Sequence, residues 1–553
     1  MSVDNSGQNR GFPGILGNLT MSASTASLPG SGAYQGFGTP ATPATPLRDN
    51  GGRPAKWVKV LDQTRCIGCH ACTTACKSEN QVPVGVSRTY VKSVDVGYFP
   101  QVRRAFQVTR CNQCENPPCV TACPTSAMHQ RLDGIVDFDK SICIGCKACM
   151  AACPYDAIFI NPEDHSAEKC NFCAQRLDIG LEPACVVVCP VEAILVGDMN
   201  DANSKVAKII NRQPVSVRRP EKETHPKMFY KGAHQATLDP LAATAPGGDT
   251  YSFAQKPQGS HIVNAGHPVA GHHNSSAQAV IAYEVGHSSP WDWRVSLYTW
   301  TKGISAGAYL VPLALVLFGF MKWTNPLFSI VSPLLALIFL GITGILLIAD
   351  LKHPSRFYMI FTRPQWKSWL VRGGFIIGVY GAIMTLQLIA GILKIPAMEK
   401  ILAFPGVPLA VMTEIYTAYL FAQAKARDLW QNPLLPPHLF AQAIFLGAAA
   451  FSLIDYNPAA QMALLWIVAV AGIVHLLFVL GESSITHPTA HAHLANYQMT
   501  RGKFKSFFWA GIVLVLISIF SPVLGIFGPI LGLIGLLAHE HAYVQAAQSV
   551  PLA

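Results

Sequence analysis

Cysteines dominate the chemistry that this sequence can perform. All sixteen lie between Cys66 and Cys189 and fall into four groups of four. The groups are Cys66-x2-Cys69-x2-Cys72-x3-Cys76, Cys111-x2-Cys114-x4-Cys119-x3-Cys123, Cys143-x2-Cys146-x2-Cys149-x3-Cys153 and Cys170-x2-Cys173-x11-Cys185-x3-Cys189. Thiolates at this spacing hold iron–sulfur cubanes, and the fourth cysteine of a run binds the neighbouring cluster. Sixteen thiolates therefore predict four [4Fe–4S] clusters, which carry single electrons.

Other uses of these thiols fit the spacing poorly. Structural zinc also takes four cysteines, but its sites are not nested x2-x2-x3 runs closed by proline. Cys66, Cys69 and His70 match a c-type haem attachment pattern, yet haem there would leave Cys72 and Cys76 without a cluster. A disulfide framework rarely places cysteines at x2 spacing. Iron–sulfur binding is the interpretation that uses every thiol.

Composition divides the chain into a polar part and a membrane part. Half of the residues are hydrophobic and 13% are charged, against about 25% charged in soluble domains. Residues 56–230 are polar and cysteine-rich, whereas residues 296–547 lack cysteine and contain long apolar runs. Much of the net charge of +10 flanks apolar segments, where membrane topology explains it, so we expect no nucleic-acid partner.

Four regions follow from these patterns. Residues 1–55 are rich in Gly, Ser, Thr, Ala and Pro and predict a disordered arm. We expect no secretory or twin-arginine signal there, because the arm has no long apolar run and no arginine pair. An electron-transfer domain over 56–230, a flexible linker over 231–290 and a membrane anchor over 291–553 complete the predicted organisation.

Short strand-like pieces flank the cysteine groups, at 57–60, 135–138 and 157–160. Small strand pairs beside short helices resemble a tandem bacterial ferredoxin, an α+β fold. Across Lys56–Val196 the sequence resembles the electron-transfer subunit of the dimethyl sulfoxide reductase family of molybdenum enzymes. The x4 gap before Cys119 and the x11 gap before Cys185 carry this resemblance.

The resemblance implies how the cysteines share the clusters. The implied ligand sets are Cys66, Cys69, Cys72 and Cys189; Cys76, Cys170, Cys173 and Cys185; Cys111, Cys114, Cys119 and Cys153; and Cys123, Cys143, Cys146 and Cys149. Some relatives have Trp at the position of Cys146 and hold a [3Fe–4S] cluster; cysteine here implies four cubanes. The resemblance also implies a separate molybdopterin catalytic subunit that docks on this domain. Lys77, Lys147, Lys169 and Arg176 lie close to ligands and either raise cluster potentials or form a solvated basic surface.

The second half predicts an all-α polytopic membrane domain. A helix needs about 20 apolar residues to cross a bilayer. Eight candidates satisfy this, at 296–321, 327–350, 369–394, 404–424, 437–455, 460–482, 505–521 and 523–544. The last two form one apolar stretch, which we divide at Ser521-Pro522, with Pro529 as the other candidate boundary.

Loop charges predict the orientation. With eight spans, the loops on the iron–sulfur side carry nine Lys and Arg residues, and the opposite loops carry three. The positive-inside rule then places the iron–sulfur domain in the cytoplasm of a bacterial-type inner membrane.

The membrane half also carries a resemblance. Residues 300–307, 350–357 and 425–436 resemble motifs of the NrfD-type polysulfide reductase membrane subunit, the strongest being Asp350-Leu351-Lys352-His353-Pro354-Ser355-Arg356-Phe357. This implies a haem-free, quinone-binding anchor. We expect His475 to be the only histidine deep in a span, and therefore no haem b. Glu414 and His475 predict either a proton relay or a satisfied polar network near mid-membrane.

A quinone site must lie close to a cluster, hence at the end of the bundle that faces the iron–sulfur domain. Lys302, Asp350, His353 and Arg356 are the candidate residues, with His353 as the proton-linked partner because imidazole titrates near neutral pH. The alternative is that Asp350, His353 and Arg356 fix the loop to lipid headgroups.

The sequence therefore predicts an electron-transfer and membrane-anchor subunit that links the quinone pool to a molybdopterin enzyme. We expect no substrate-converting site in this chain. Two alternatives remain open. The partner is a hydrogenase or multihaem cytochrome, or the protein is a structural anchor without its own quinone site.

Overall fold

The computed structural model describes residues 55–97, 100–244, 279–454, 458–484 and 487–553. The predicted N-terminal arm lies outside the described residues except for its last residue, and so does the middle of the predicted linker. All described residues belong to one compact unit.

The first part of the chain alternates short strands with short helices. Its strands are β1 (Trp57–Asp62), β2 (Thr89–Val96), β3 (Arg103–Arg110), β4 (Met128–Gln130), β5 (Val136–Phe138), β6 (Ile158–Ile160), β7 (Ala167–Lys169), β8 (Ile194–Asp198), β9 (Val215–Ser216), β10 (Met228–Lys231) and β11 (Ala279–Tyr283). Its helices are α1 (Ala71–Asn80), α2 (Pro118–Ala122), α3 (Ala148–Ala152), α4 (Ala174–Leu177), α5 (Ala184–Val187), α6 (Lys205–Arg212) and α7 (Gln235–Leu238).

Two small sheets and two strand pairs hold the cysteine loops. One sheet has the order β8-β1-β10-β9, in which β1 is antiparallel to β8 and parallel to β10. The other has the order β11-β2-β3. The pairs β4-β5 and β6-β7 flank the third cysteine group. The predicted strands at 57–60, 135–138 and 157–160 are confirmed as β1, β5 and β6, and the predicted α+β class of this half is confirmed.

The second part is a bundle of long helices joined by a few short ones. They are α8 (Trp293–Leu317), α9 (Ser332–Asp350), α10 (Met359–Thr362), α11 (Trp369–Ile392), α12 (Pro396–Gln423), α13 (Leu435–Ser452), α14 (Pro458–Ser484), α15 (Ala490–Thr500), α16 (Lys505–Ser518), α17 (Ser521–Leu524) and α18 (Phe527–Gln548). A π-helical turn, Leu327–Val331, leads into α9. The predicted all-α membrane domain is therefore confirmed.

The predicted count of eight spans is not confirmed. Within the described ranges, six helices are long and apolar enough to cross a membrane, and they match the first six predicted spans. The seventh candidate is only fourteen residues long, as α16, because the chain turns at α17 around Ser521-Pro522. Pro529 instead lies in the first turn of α18, where proline fits a helix.

The predicted linker 231–290 is not a free tether in its described parts. β11 pairs with β2 and joins the second sheet. His287 Nδ1 lies 2.8 Å from an oxygen of Asp156; burial lowers the pKa of His287, but Asp156 and Glu284 raise it to about 10. The pairing of β11 with β2 and this ion pair fix the end of the segment to the electron-transfer domain.

Helices α8 and α13 approach each other through glycine. A methyl group at Gly307 would overlap the carbonyl oxygen of Ala443 and the backbone of Gly447. Small residues at such crossings allow backbones to pack closely where lipid provides no hydrophobic drive between helices.

Replacing Gly307 by alanine should therefore destabilise the bundle, by about 1–3 kcal/mol as overpacking substitutions do. The thermal unfolding midpoint of the detergent-purified chain measures this. Gly378→Ala on α11 is the matched control, because nothing lies within 4 Å of a methyl group there. Equal midpoints for the two variants would contradict the close crossing.

Candidate electron-transfer site

The sixteen thiols are arranged in four neighbourhoods. Ten of the thiols have members of their own neighbourhood among the groups that shift their pKa. The neighbourhoods are Cys66, Cys69, Cys72 and Cys189; Cys76, Cys170, Cys173 and Cys185; Cys111, Cys114, Cys119 and Cys153; and Cys123, Cys143, Cys146 and Cys149. We number them sets 1 to 4. The resemblance to the dimethyl sulfoxide reductase family implied the same sets; the ligation itself stays a prediction.

The four sets follow one another in a line. Thiols of consecutive sets also influence one another. The connecting pairs are Cys72 with Cys185, Cys111 with Cys170, and Cys119 with Cys149. The line begins at set 1, where Cys69 is exposed, and ends at set 4, whose four thiols are buried.

Burial raises the pKa of many of these thiols above that of an exposed thiol. Desolvation raises the pKa of Cys72 to about 11 and that of Cys76 to about 12. Desolvation and the neighbouring Cys111 likewise raise the pKa of Cys114 to about 12. Four thiols gathered in a dry space suit a group that binds thiolate and carries positive charge, as iron does. The donor sets therefore fit iron–sulfur clusters.

Set 2 contains one thiol, Cys185, whose pKa is lowered and not raised. Burial raises the pKa of Cys185, but Arg110 and Lys59 outweigh it and lower this pKa to about 7. Arg110 Nη1 lies 3.1 Å and Lys59 Nζ lies 3.7 Å from the sulfur. Both cations are buried, so they act on set 2 in a medium that screens charge weakly.

The basic residues singled out in the sequence contact oxygen atoms, and the buried Lys169 also opposes the rise in the pKa of Cys111 and Cys119. Lys147 pairs with Asp350 at 2.8 Å. Lys77 and Lys169 donate to backbone carbonyls, and Arg176 binds Glu79. Sequence analysis missed Arg110 and Lys59, although Arg110 directly precedes Cys111 and its position was a usable signal.

The loop around Cys146 docks on the membrane helices. Lys147 and Asp350 form their ion pair with both side chains buried. The indole Nε1 of Trp291 donates to the Cys146 carbonyl at 3.1 Å. Gly145 has a φ of +66°, and a methyl group there would overlap Lys352. Set 4 is thereby held against the end of α9.

A cavity of about 200 Å³ opens beside this loop. Cys146, Trp291, Tyr298, Asp350 and Tyr416 line it, and aliphatic and aromatic side chains of α9, α10 and α11 complete it. An apolar slot with a few convergent polar groups is the usual form of a small-molecule site. This one touches set 4 directly, through Cys146.

Only Asp350, of the four predicted quinone residues, lines the cavity. Arg356 donates to the carbonyls of Lys140 and Cys143, at 3.0 Å each, so its guanidinium docks the loop on the electron-transfer domain rather than on lipid. His353 lies outside the cavity, and burial and Arg356 lower its pKa. The ammonium of Lys302 lies behind the cavity wall.

Lys302 belongs to a buried polar network. Its Nζ donates to the Glu414 carbonyl and to Thr417 Oγ1, at 2.6 Å each, and lies 4.9 Å from the centre of the Tyr416 ring. The Glu414 carboxylate is 3.7 Å away. Lys302 and Glu414 each stand nine residues from the domain-facing end of their helix, which is about 13 Å of rise.

Sequence analysis also missed two deep histidines. The expectation that His475 is the only histidine deep in a span is wrong, because His438 and His539 are buried beside it. His438 follows Pro436-Pro437 at the start of α13. His539 lies in α18, and the sequence of that helix gave no sign that this histidine is deeply buried. These three side chains form a group whose potential ligand atoms lie within 4.8 Å of one another, close enough to hold a single metal ion.

Comparisons with known proteins agree with both halves of this architecture. Residues 102–199 match the 4Fe-4S dicluster domain family, and residues 283–527 match the family "Polysulphide reductase, NrfD". The B subunit of tetrathionate reductase from Salmonella typhimurium is 40% identical over 247 residues, which are 44% of this chain and 95% of that protein. The B subunit of polysulfide reductase from Wolinella succinogenes is 43% identical over 177 residues, which are 32% of this chain and 93% of that protein. Protein NrfC of Escherichia coli is 41% identical over 173 residues, which are 31% of this chain and 78% of that protein.

The two family matches lie on either side of the boundary between the electron-transfer part and the helical bundle. The dicluster family match lies in the electron-transfer part, and the NrfD family match covers most of the helical bundle that follows it. The protein belongs to the family of iron–sulfur electron-transfer subunits that includes these relatives, and it carries an NrfD-type, multi-pass membrane anchor in the same polypeptide.

Proposed function

We propose that this chain passes electrons between the membrane quinone pool and a separate molybdopterin catalytic subunit through four [4Fe–4S] clusters. The observation that carries the proposal is the line of thiol sets from exposed Cys69 to the cavity beside Cys146. Sets 1 to 4 each hold one cluster, and the clusters supply one-electron transfer when bound. The chain itself contributes the thiolates, their spacing and the charges around them.

The catalytic subunit docks at set 1. Ile67, Val187 and Val188 are apolar and exposed beside the first and last ligands of this set, and exposed apolar groups of this kind mark interaction surfaces. The relatives are named as subunits of tetrathionate, polysulfide and thiosulfate reductases. Those names support a partner that acts on sulfur compounds.

The quinone occupies the cavity beside set 4. Its ring lies against apolar walls, and Asp350 and Tyr416 offer polar atoms for its oxygens. Asp350 also accepts a hydrogen bond from Lys147. When a quinone oxygen takes up or releases a proton, this buried ion pair compensates the change in charge next to the electron carrier. Trp291 closes the cavity on the side of Cys146 and keeps water away from this exchange.

The iron–sulfur side faces the cytoplasm. The excess of Lys and Arg in the loops on that side supports this orientation. Part of the excess serves docking instead, since Arg356 binds the electron-transfer domain, but Lys367, Lys425 and Lys505 lie on the same side, and their side chains are free of such contacts with that domain in the described structure.

Replacing Arg110 by glutamine should lower the midpoint potential of the cluster in set 2. A hydrogen bond to a charged group is worth about 1.5–3 kcal/mol, which corresponds to about 60–130 mV for one electron. Redox titration followed by electron paramagnetic resonance measures the shift. Arg176→Gln is the matched control, because Arg176 is held by Glu79 and not by a thiol. Identical potentials in the two variants would contradict the role of Arg110.

Filling the cavity should stop quinol from reducing the clusters. Gly344 lines the cavity, and nothing lies within 4 Å of a methyl group added there. Gly344→Leu should slow quinol-driven cluster reduction by about tenfold or more, the effect of losing about 1.4 kcal/mol of binding. Dithionite should still reduce all clusters.

Gly341→Leu provides the control for this variant. Gly341 lies one turn away on the same helix, with equally open surroundings, but outside the cavity. Stopped-flow absorbance with a soluble quinol analogue compares the two. A normal rate in Gly344→Leu would place the quinone elsewhere.

A further inference from the structure

Three buried histidines from three different helices converge inside the bundle. His438 lies on α13, His475 on α14 and His539 on α18, and their side chains are fully or almost fully buried. One potential ligand atom from each lies within 4.8 Å of the others. Nε2 of His438 is 2.8 Å from Nδ1 of His475.

The ring spacing matches a shared ion. The ring centres of His438 and His475 are 4.9 Å apart, those of His475 and His539 are 5.0 Å apart, and those of His438 and His539 are 6.0 Å apart. Imidazoles bound tetrahedrally to zinc, with Zn–N of about 2.0–2.1 Å, have ring centres about 5 Å apart. The third ring needs to move by about 1 Å only, a shift within the reach of its side-chain torsions.

A carboxylate orients the central histidine. Nδ1 of His438 lies 3.0 Å from an oxygen of Glu482. A carboxylate acceptor there fixes the proton on Nδ1 and leaves Nε2 with a lone pair that faces His475; Gln442 Nε2 lies 3.3 Å from the same nitrogen. Metal-binding histidines are regularly held in this way.

One buried ring nitrogen, Nδ1 of His539, supports the same conclusion. Nε2 of His475 and Nδ1 of His539 are buried and have no hydrogen-bond partner among the described residues. Buried polar atoms are nearly always satisfied. For His539, a metal ion supplies the missing partner if Nδ1 is the ligand atom.

Charge balance points to a divalent cation. Glu482 and Glu540 are both buried close to the histidines. Glu482 is hydrogen-bonded to His438. Glu540 is hydrogen-bonded to Thr299 and Gln442. Lys302 directly faces a different carboxylate, that of Glu414. A divalent ion held by the three rings compensates negative charge on these two buried carboxylates.

We propose that His438, His475 and His539 bind one divalent transition-metal ion, zinc by its donor set. Nitrogen ligands in a tetrahedral arrangement suit zinc, and water takes the fourth position as in other three-histidine sites. Haem does not fit between His438 and His475, because ring nitrogens 2.8 Å apart leave no room for a macrocycle. The ion joins α13, α14 and α18 at the depth of the polar network.

Metal analysis of the full chain, purified with the subunits that accompany it and washed with EDTA, tests this proposal. We expect about one zinc per chain in the wild type and in His541→Ala, whose histidine lies on α18 and packs against Phe507 instead. His475→Ala and His539→Ala should each lose most of the zinc while their iron content stays unchanged. Unchanged iron shows that the electron-transfer domain of these variants still folds.

Zinc X-ray absorption of the wild type gives a second, independent readout, which needs no variant. We expect imidazole nitrogen ligands and no sulfur ligand. Absence of zinc from the wild type, equal zinc in His475→Ala and the wild type, or sulfur-bound zinc would each overturn the proposal. Sulfur ligation would locate the zinc in a cysteine set, and absence of zinc would leave the histidines as a hydrogen-bonded network only.

Discussion

The contact between the Cys146 loop and the end of α9 is the constraint on which the rest of the structure depends. Electron transfer between carriers weakens steeply with distance, so the last thiol set must lie at the edge of the membrane cavity. The buried ion pair of Lys147 and Asp350 and the hydrogen bond from Trp291 to the Cys146 carbonyl provide that fixed distance. Breaking a buried pair by removing one partner costs about 3–5 kcal/mol, enough to make the docking specific.

The same contact explains why the electron-transfer domain and the membrane anchor are combined in one polypeptide. In separate subunits, a docking surface of this kind must be found by diffusion and held by its own affinity. Here the chain returns from β11 directly into α8, and His287 with Asp156 ties the connecting segment to the electron-transfer domain. The covalent link raises the effective concentration of the two parts.

Four ionisable groups of the bundle lie in one layer. Lys302, Glu414, His475 and His539 all lie nine residues from the domain-facing ends of their helices. Charged groups inside a membrane are costly unless they face one another or a polar cavity, and here they do so behind the wall of the cavity at Tyr416. The other end of the bundle relies on close glycine contacts such as Gly307 with Gly447.

The sequence predicted what is local and missed what depends on distant segments. Cysteine spacing and apolar run length are properties of single segments, so the four groups and the first six spans could be located. The polar layer could not, because His438 and His539 reach His475 only after three helices have packed. Arg110 shows the same limit: its place beside Cys111 was visible, but its contact with Cys185, 75 residues away, was not. Of the loop after α9, the sequence identified the residues but not that Arg356 and the backbone of Lys352 bind the cysteine domain.

The central claim is that set 4 is the only entry from the membrane to the line of clusters. Rapid-freeze electron paramagnetic resonance of the double variant Cys143→Ala/Cys149→Ala, which leaves only two thiols in set 4, tests it most directly when the variant is mixed with quinol and separately with dithionite. The three remaining clusters should be reduced by dithionite at the normal rate and should stay oxidised with quinol. Reduction of those clusters by quinol at the wild-type rate would contradict the order of sets and the position of the cavity.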